Sequence, residues 1–414
     1  MLDIQFIRNN SQLVSERAKQ KGYDVDIDQL LGFDDQKKKI LQQVEALRQQ
    51  RNALVDATKK TKPNPDQINQ GRDLRDKITN LEHQLESISR EYDILLMKVP
   101  NVFADDVPLG GEKDSLEITK FGAQDTGAQD HLDYMISRDW VDFERGAKVA
   151  GSKFYFLKGD AALLEEAIKQ YAINFVIKKG FLFMTVPHMV NTKTAVGAGF
   201  APKTSDDSNE YFLENEDLTL IGTAEAPLTG YHADEIIPEK SLPLFYVGYS
   251  PCYRKEAGTY GKHTRGLFRV HQFNKVEMYA FCTPEQSQSV HEKIRGIEEE
   301  LWQSIGIPYR VINIASGDLG APAFKKYDLE YWSKADGVYR ELTSCSNCTD
   351  FQARNLNIRI RRDNGQIEML HTLNGTAVAL ARSLIAIIEH YQTDDGKIRV
   401  PDVLVPYLDN RQVL

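Results

Sequence analysis

The chain has 414 residues, 41% of them hydrophobic and 27% charged, and a formal net charge of −9. That length exceeds a usual single core and implies two domains, while the acidic balance argues against wholesale binding of a polyanion. No apolar run approaches a membrane span, and the start MLDIQFIRNN is neither a signal nor a transit peptide, so no membrane partner and a cytoplasmic location are expected.

The first predicted element is a short helix over Asn10 to Lys21, capped by Asn10 or Ser11 and stopped at Gly22. From Asp34 the pattern changes to heptads. Ile40, Val44, Leu47 and Leu54 are spaced four, three and seven, and Leu74, Ile78, Leu81, Leu85, Ile88, Tyr92 and Leu95 alternate four and three. Between the seams KKTKPNPDQ carries Pro63 and Pro65, which break a continuing helix and force a turn. The pattern predicts a long antiparallel helical hairpin, a coiled coil: a dimerisation element, a projecting arm, or a solvated pair packed on the body. Residues 34 to 99 hold 13 Lys or Arg and 11 Asp or Glu, a balance of +2 against −11 elsewhere. With Lys59, Lys60 and Lys62 at the turn, this favours an arm that meets a polyanion first.

PNVFADDVPLGGEKD then marks a boundary near residues 100 to 115, dividing the chain into about 1–105 and 106–414. Beyond it a helix around Ala161 to Lys179 leads into FLFMTVP, a strand closed by Pro187. Strands follow near Leu244 to Arg254, Phe268 to Cys282, Tyr309 to Ile314, Tyr327 to Trp332, Val338 to Thr343 and Asn357 to Arg361. This succession predicts an α+β fold, an antiparallel sheet with flanking helices. No Rossmann or P-loop glycine pattern is present, so a nucleotide here must be held differently.

The stretch FRVHQFNKVEMYAFC, residues 268 to 282, poses the functional question. Its even positions, Phe268, Val270, Val276, Met278 and Ala280, supply a core face. Its odd positions are Arg269, His271, Phe273, Lys275, Glu277, Tyr279 and Phe281, of which Arg269, Phe273 and Glu277 offer an anion contact, a stacking surface and an acceptor suited to a nucleotide on a sheet. Arg254 and Glu256 share a parity in LFYVGYSPCYRKE, and the basic, glycine-rich EAGTYGKHTRG joins the two strands into a clamp. Arg254 and Arg269 can neutralise phosphates while Phe273 stacks a base. His271 reads as structural. Cys345 and Cys348 in CSNC lack two further ligands at metal spacing, so no zinc is expected.

YRKEAG followed by TRGLFRVHQFNKVE resembles motif 2 of the class II aminoacyl-tRNA synthetases in its seryl form. The segment ending in VPHMV is similar to motif 1, with Pro187 at a dimer interface, and NGTAVALARSLIAIIEHYQ is similar to motif 3. TAEAPLTGYH, ELTSCSNCTDFQAR and HTLNGT resemble further seryl-specific stretches, and the hairpin resembles the family's tRNA-binding arm.

The resemblance implies a homodimer with an antiparallel catalytic sheet. It also implies two-step, ATP-dependent charging of tRNA(Ser) with L-serine, with Mg²⁺ as cofactor and tRNA(Sec) open as a second acceptor. Carried over, Arg254 bridges the serine carboxylate and the α-phosphate, Glu256 meets the adenine amino group, and Phe273 and Arg382 sandwich the ring. Arg269 lies at the phosphate tail, Glu341 and Ser344 hold the metal, and Lys255, Val270, Leu342 and Thr343 lie beside the nucleotide. Thr223, Ala224, Glu225, Glu277 and Thr376 form the serine pocket, supported by Asn374. Thr343 and Thr376 stand where the family often has Ser; each keeps a hydroxyl and adds a methyl.

The chemistry needs no protein nucleophile, because the serine carboxylate attacks the α-phosphorus itself; cations must stabilise the developing charge. Two other readings are a ligase with another acceptor, expected to lack the arm, and an RNA-binding paralogue, expected to have lost Arg254, Arg269, Glu341 or Arg382. All four residues and the arm are present.

Overall fold

The computed structural model describes residues 1–59, 63–200, 209–256 and 266–414, which form two compact units, Met1–Val102 and Phe103–Leu414. In the first, Asp3 caps a helix that the periodicity did not signal, α1 (Ile4–Asn9), by accepting from the N–H groups of Gln5 and Phe6. Helix α2 (Ser11–Gln20) follows, and the chain leaves it through Gly22 at φ +83°.

Two long helices then run as α3 (Ile27–Thr58) and α4 (Pro65–Lys98). At 32 and 34 residues, each spans about 50 Å. Helix α3 starts at Ile27 and not near Asp34, because Asp26 caps it and Ile27 and Leu30 are buried. Asp34 lies inside the helix, where Arg8 and Lys38 each approach its carboxylate to 2.6 Å. Pro65 opens α4 instead of breaking it: Asn64 and Gln67 form a reciprocal capping box, and proline needs no N–H at the first helical position. The seam is buried at Ile40, Val44, Leu74, Ile78 and Tyr92, and half-buried at Leu47, Leu54, Leu81 and Leu85. Lys59 pairs with Asp56 at 2.6 Å; Lys60 and Lys62 lie outside the described residues.

The second unit is built on an eight-stranded sheet. Its strands are β1 (Leu116–Phe121), β2 (Leu182–Thr185), β3 (Leu244–Tyr253), β4 (Gln272–Cys282), β5 (Tyr309–Asn313), β6 (Lys325–Ser333), β7 (Val338–Thr349) and β8 (His371–Ala379). They lie in the order β1-β5-β6-β7-β8-β4-β3-β2. All neighbours are antiparallel except β2, which runs parallel to β3 at the edge and departs from the purely antiparallel expectation. Flanking helices are α5 (Gly159–Lys178), α6 (Thr192–Gly197), α7 (Glu225–Gly230), α8 (Ser287–Ile305), α9 (Phe351–Asn355) and α10 (Leu380–Tyr391). The stretch read as a linker is partly packed: Phe103 and Val107 are buried against Ile312, Ile314 and Leu319. No helix among the described residues is long and apolar enough to cross a membrane.

Strand β4 is buried on both faces over much of its length. Its even residues Val276, Met278 and Ala280 enter the main core with α5, α8 and α10. On the odd face, Tyr279 and Phe281 enter a second core with Ala224, Leu228 and Leu356. Only the earlier odd positions, Phe273, Lys275 and Glu277, are left to serve a site. The strand begins at Gln272, so Arg269 and His271 precede it, in contrast to a continuous strand from Phe268.

Two bulges shape the neighbouring strands. Opposite β6, Leu329 pairs with Thr343 and Glu330 with Glu341, leaving Leu342 as the extra residue; opposite β4, the ladder skips Ala377. In a regular strand Glu341 and Ser344, three residues apart, would face opposite sides. The bulge at Leu342 brings them to one side.

Candidate active site

One cavity collects most of the residues that the sequence singled out for the nucleotide. It is lined by Arg254, Glu256, Val270, Phe273, Glu341, Leu342, Thr343, Ser344 and Arg382, together with Lys275 and Thr376. Strand β3 ends at Tyr253, so strand parity does not place Arg254 and Glu256. The ladder continues irregularly instead: the Arg254 N–H donates to the His271 carbonyl (3.0 Å), and His271 Nδ1 returns a hydrogen bond to the Arg254 carbonyl (3.0 Å). This gives His271 its structural task. The Arg254 guanidinium sits 5.3 Å from the Phe273 ring centroid, and its Nε donates to the Gly222 carbonyl (3.3 Å).

Glu256 adopts φ +49°. Asn209, which the sequence reading missed, secures that turn: its main-chain carbonyl accepts from Lys255 N (2.8 Å) and its Oδ1 from Glu256 N (2.7 Å). Arg269 meets the Glu256 carboxylate at 3.0 Å. Lys255 points to the Phe212 ring, 5.6 Å away. The basic residues Lys262, His263 and Arg265 of the joining loop lie outside the described residues.

Across the cavity, Arg382 pairs with Glu341 at 3.0 Å and lies 4.7 Å over the ring of Phe268. Phe273, its expected partner in a sandwich around the adenine, carries the Arg254 guanidinium. Burial opposes ionisation of Glu341, but the positive charges of Arg382 and Lys326 prevail and hold its carboxyl below the ordinary range. Thr343 lines the cavity, yet its hydroxyl donates to Glu298 of α8 (3.0 Å) behind the sheet. Asp328, paired with Ser344 across the ladder, is buried, and its Oδ1 has no hydrogen-bond partner among the described residues.

The residues expected around serine form an adjoining network. Lys275 Nζ lies 2.6 Å from Glu277 Oε2, and the Thr376 hydroxyl donates to the same oxygen (3.1 Å). Lys275 stood on the odd face of the sequence pattern, but the sequence reading gave it no role. Asn374 Nδ2 donates to Glu225 Oε1 (2.9 Å), and Thr223 Oγ1 accepts from Glu225 N (3.2 Å). Burial and then the neighbouring Glu277 push the Glu225 carboxyl up to about 7, against the opposing pull of Lys275. Ala224 is fully buried in the second core, which leaves only its backbone for a ligand. Pro187 is exposed just beyond β2, beside exposed Leu182, Phe183 and Met189. Cys345 and Cys348 are buried free thiols of β7.

A largely antiparallel sheet flanked by helices, with its charged cavity over strands β3, β4, β7 and β8, is the architecture of a class II aminoacyl-tRNA synthetase core. In agreement, residues 210–391 match the family model of the tRNA synthetase class II core domain (G, H, P, S and T). Residues 1–103 match the seryl-tRNA synthetase N-terminal domain. The chain is 43% identical to the serine–tRNA ligase of Dictyoglomus turgidum, over 99% of this chain and 98% of the relative. It is 42% identical to that of Treponema denticola, over 98% of each. Among solved structures, seryl-tRNA synthetase from Pyrococcus horikoshii complexed with ATP superposes with a TM-score of 0.90 at 38% identity, covering 100% of this chain and 99% of the other. The chain belongs to the seryl-tRNA synthetase family.

Proposed function

We propose that the chain attaches L-serine to tRNA in two steps, both at the β3–β4–β7–β8 cavity. The enzyme is a serine–tRNA ligase, and its reaction is the ATP-dependent formation of seryl-adenylate followed by transfer of the seryl group to tRNA. The convergence of Arg254, Phe273, Glu341, Thr376 and Arg382 on one cavity carries this reading. Arg254 neutralises the serine carboxylate and the α-phosphate as they approach, Arg269 takes the phosphate tail, and Phe273 and Arg382 hold the adenine. The carboxylate attacks in line and pyrophosphate leaves, so the protein supplies position and positive charge rather than a base. Glu277 and Thr376 meet the serine hydroxyl, which alanine and glycine lack; a site built for such a hydroxyl can discriminate by up to about 10⁴-fold.

The donor set suits Mg²⁺: Glu341 and Ser344 place hard oxygen atoms on one side of β7 and would hold the ion. When bound, the ion supplies Lewis-acid neutralisation of the phosphates. The exposed apolar edge at Leu182, Phe183 and Pro187 supports a homodimer, since an edge strand of this kind needs cover. The reading includes a cytoplasmic location and an α3–α4 arm that receives tRNA(Ser), with tRNA(Sec) as a second acceptor to test.

Serine-dependent ATP–pyrophosphate exchange, with and without tRNA, tests the reading. Exchange should require serine and not tRNA. Arg254→Ala should cost a hundredfold or more, since lost transition-state contacts of this type are worth about 3 kcal/mol. Exchange driven by another amino acid, or a well-folded Arg254→Ala enzyme at near-normal rate, would overturn the assignment.

A further inference from the structure

Gln352, in helix α9, is fully buried and uses its whole hydrogen-bonding capacity. Nε2 donates to the Ala198 carbonyl (2.9 Å) and to Glu225 Oε1 (2.8 Å). Oε1 accepts from the hydroxyls of Tyr279 in β4 (2.8 Å) and Thr372 in β8 (2.7 Å). The amide therefore has one orientation: flipped, its oxygen would oppose a carbonyl and a carboxylate, neither of which can donate. Three separate pieces of the fold set this side chain, and its remaining N–H serves one carboxylate.

Glu225 Oε1 thus receives two N–H donors, from Gln352 and Asn374. No hydrogen bond reaches its Oε2 among the described residues. We propose that Gln352 is a positioning residue for the amino group of serine: by fixing Oε1 of Glu225, it presents Oε2 to the ammonium of the amino acid. This rests on the placement of Glu225 in the serine pocket given above. The charged groups facing Glu225 are Glu277 and Lys275 on β4 and Arg254 beyond β3. Lys275 is engaged by Glu277, which leaves Glu225 as the carboxylate to meet an incoming cation. The Gln352 N–H favours the charged carboxylate and partly offsets the upward push of burial and Glu277.

The test is Gln352→Met, which keeps length and removes the amide, measured by pyrophosphate exchange. KM for serine should rise about tenfold, the value of one charge-assisted hydrogen bond, while KM for ATP stays within about twofold. The acid limb of kcat/KM for serine should move to higher pH. Inhibition by L-glycerate, which has a hydroxyl in place of the ammonium, should be insensitive to the change. Gln352→Glu, nearly isosteric, carries the test if the Met variant does not fold: it forces a proton to be shared with Glu225 and should also move the acid limb upward. Equal effects on both substrates, or an unmoved acid limb, would overturn the inference. Glu225→Ala separates the two levels. If it leaves KM for serine unchanged, the pocket assignment fails; if it raises that KM while the Gln352 variants do not, only the role of Gln352 fails.

Discussion

Arg382 grips Glu341 twice, with Nη1 lying 3.0 Å from the carboxylate and donating to the main-chain carbonyl at 3.3 Å. The proposed nucleotide clamp and the proposed metal ligand are therefore one electrostatic unit. Arg382→Gln should lower kcat/KM for ATP at least tenfold, in the range of lost charge-assisted contacts, and also raise the Mg²⁺ concentration needed for half-maximal exchange. Glu341→Gln should raise the Mg²⁺ requirement with serine affinity little changed. An unaltered Mg²⁺ titration in Glu341→Gln would remove this residue from the ligand set.

Glu277 cannot be removed alone without consequence, because Lys275 is buried 2.6 Å from it. Glu277→Ala should destabilise the catalytic unit by about 3–5 kcal/mol, the cost of stranding a buried charge. The double change Lys275→Met with Glu277→Leu should recover part of that stability and still fail to use serine. Thermal melts paired with the two Michaelis constants decide: ATP affinity should survive in the double variant, and its collapse would mean Glu277 serves the nucleotide.

Replacing residues 34–99 by a short linker should leave serine-dependent exchange almost unchanged and abolish tRNA charging, since the cavity residues all lie in the second unit. Substituting Lys59, Lys60 and Lys62 by Ala should flatten the salt dependence of tRNA binding without touching adenylate formation. Of these, Lys59 shares its charge with Asp56 and should contribute least. Charging at the full rate by the armless enzyme would give the hairpin another task.

His291 is 2% exposed, with Nε2 3.2 Å from the Cys345 carbonyl, and burial lowers its pKa from 6.5 to about 4. The unfolded chain takes up this proton at a higher pH than the native one, so stability is complete above 6.5 and falls as pH drops towards about 4. The loss should be on the order of 3 kcal/mol. His291→Gln should flatten the dependence of Tm on pH in that window. An unchanged slope would show that other groups carry the acid sensitivity.

The odd face of FRVHQFNKVEMYAFC pointed to a site; Phe273 and Lys275 line the cavity and Glu277 pairs with Lys275 beside it, because side-chain alternation is a local property of the chain. What alternation could not reveal is where the strand starts, or that Tyr279 and Phe281 on the same face turn to a second core. Those outcomes depend on which helices cover the sheet. Glu341 and Ser344 were named by resemblance; their spacing alone argues against a shared face, and only the bulge at Leu342, a property of pairing with β6, reconciles them. Gln352 and Asn209 carry no local signal, since their partners lie far away in sequence. In the hairpin, the seam was legible throughout, but the early start of α3 depends on the Asp26 cap and a buried Ile27.

Strand β4, closed in by hydrophobic cores on both sides, has one more consequence. Its backbone amides lie between β8 and β3 with no route for water short of separating the sheet. Amide protons at positions 276–281 will exchange with solvent only through global opening of the catalytic unit. The floor of the cavity is therefore as persistent as the fold itself, and breathing motions that open it must be confined to its surroundings.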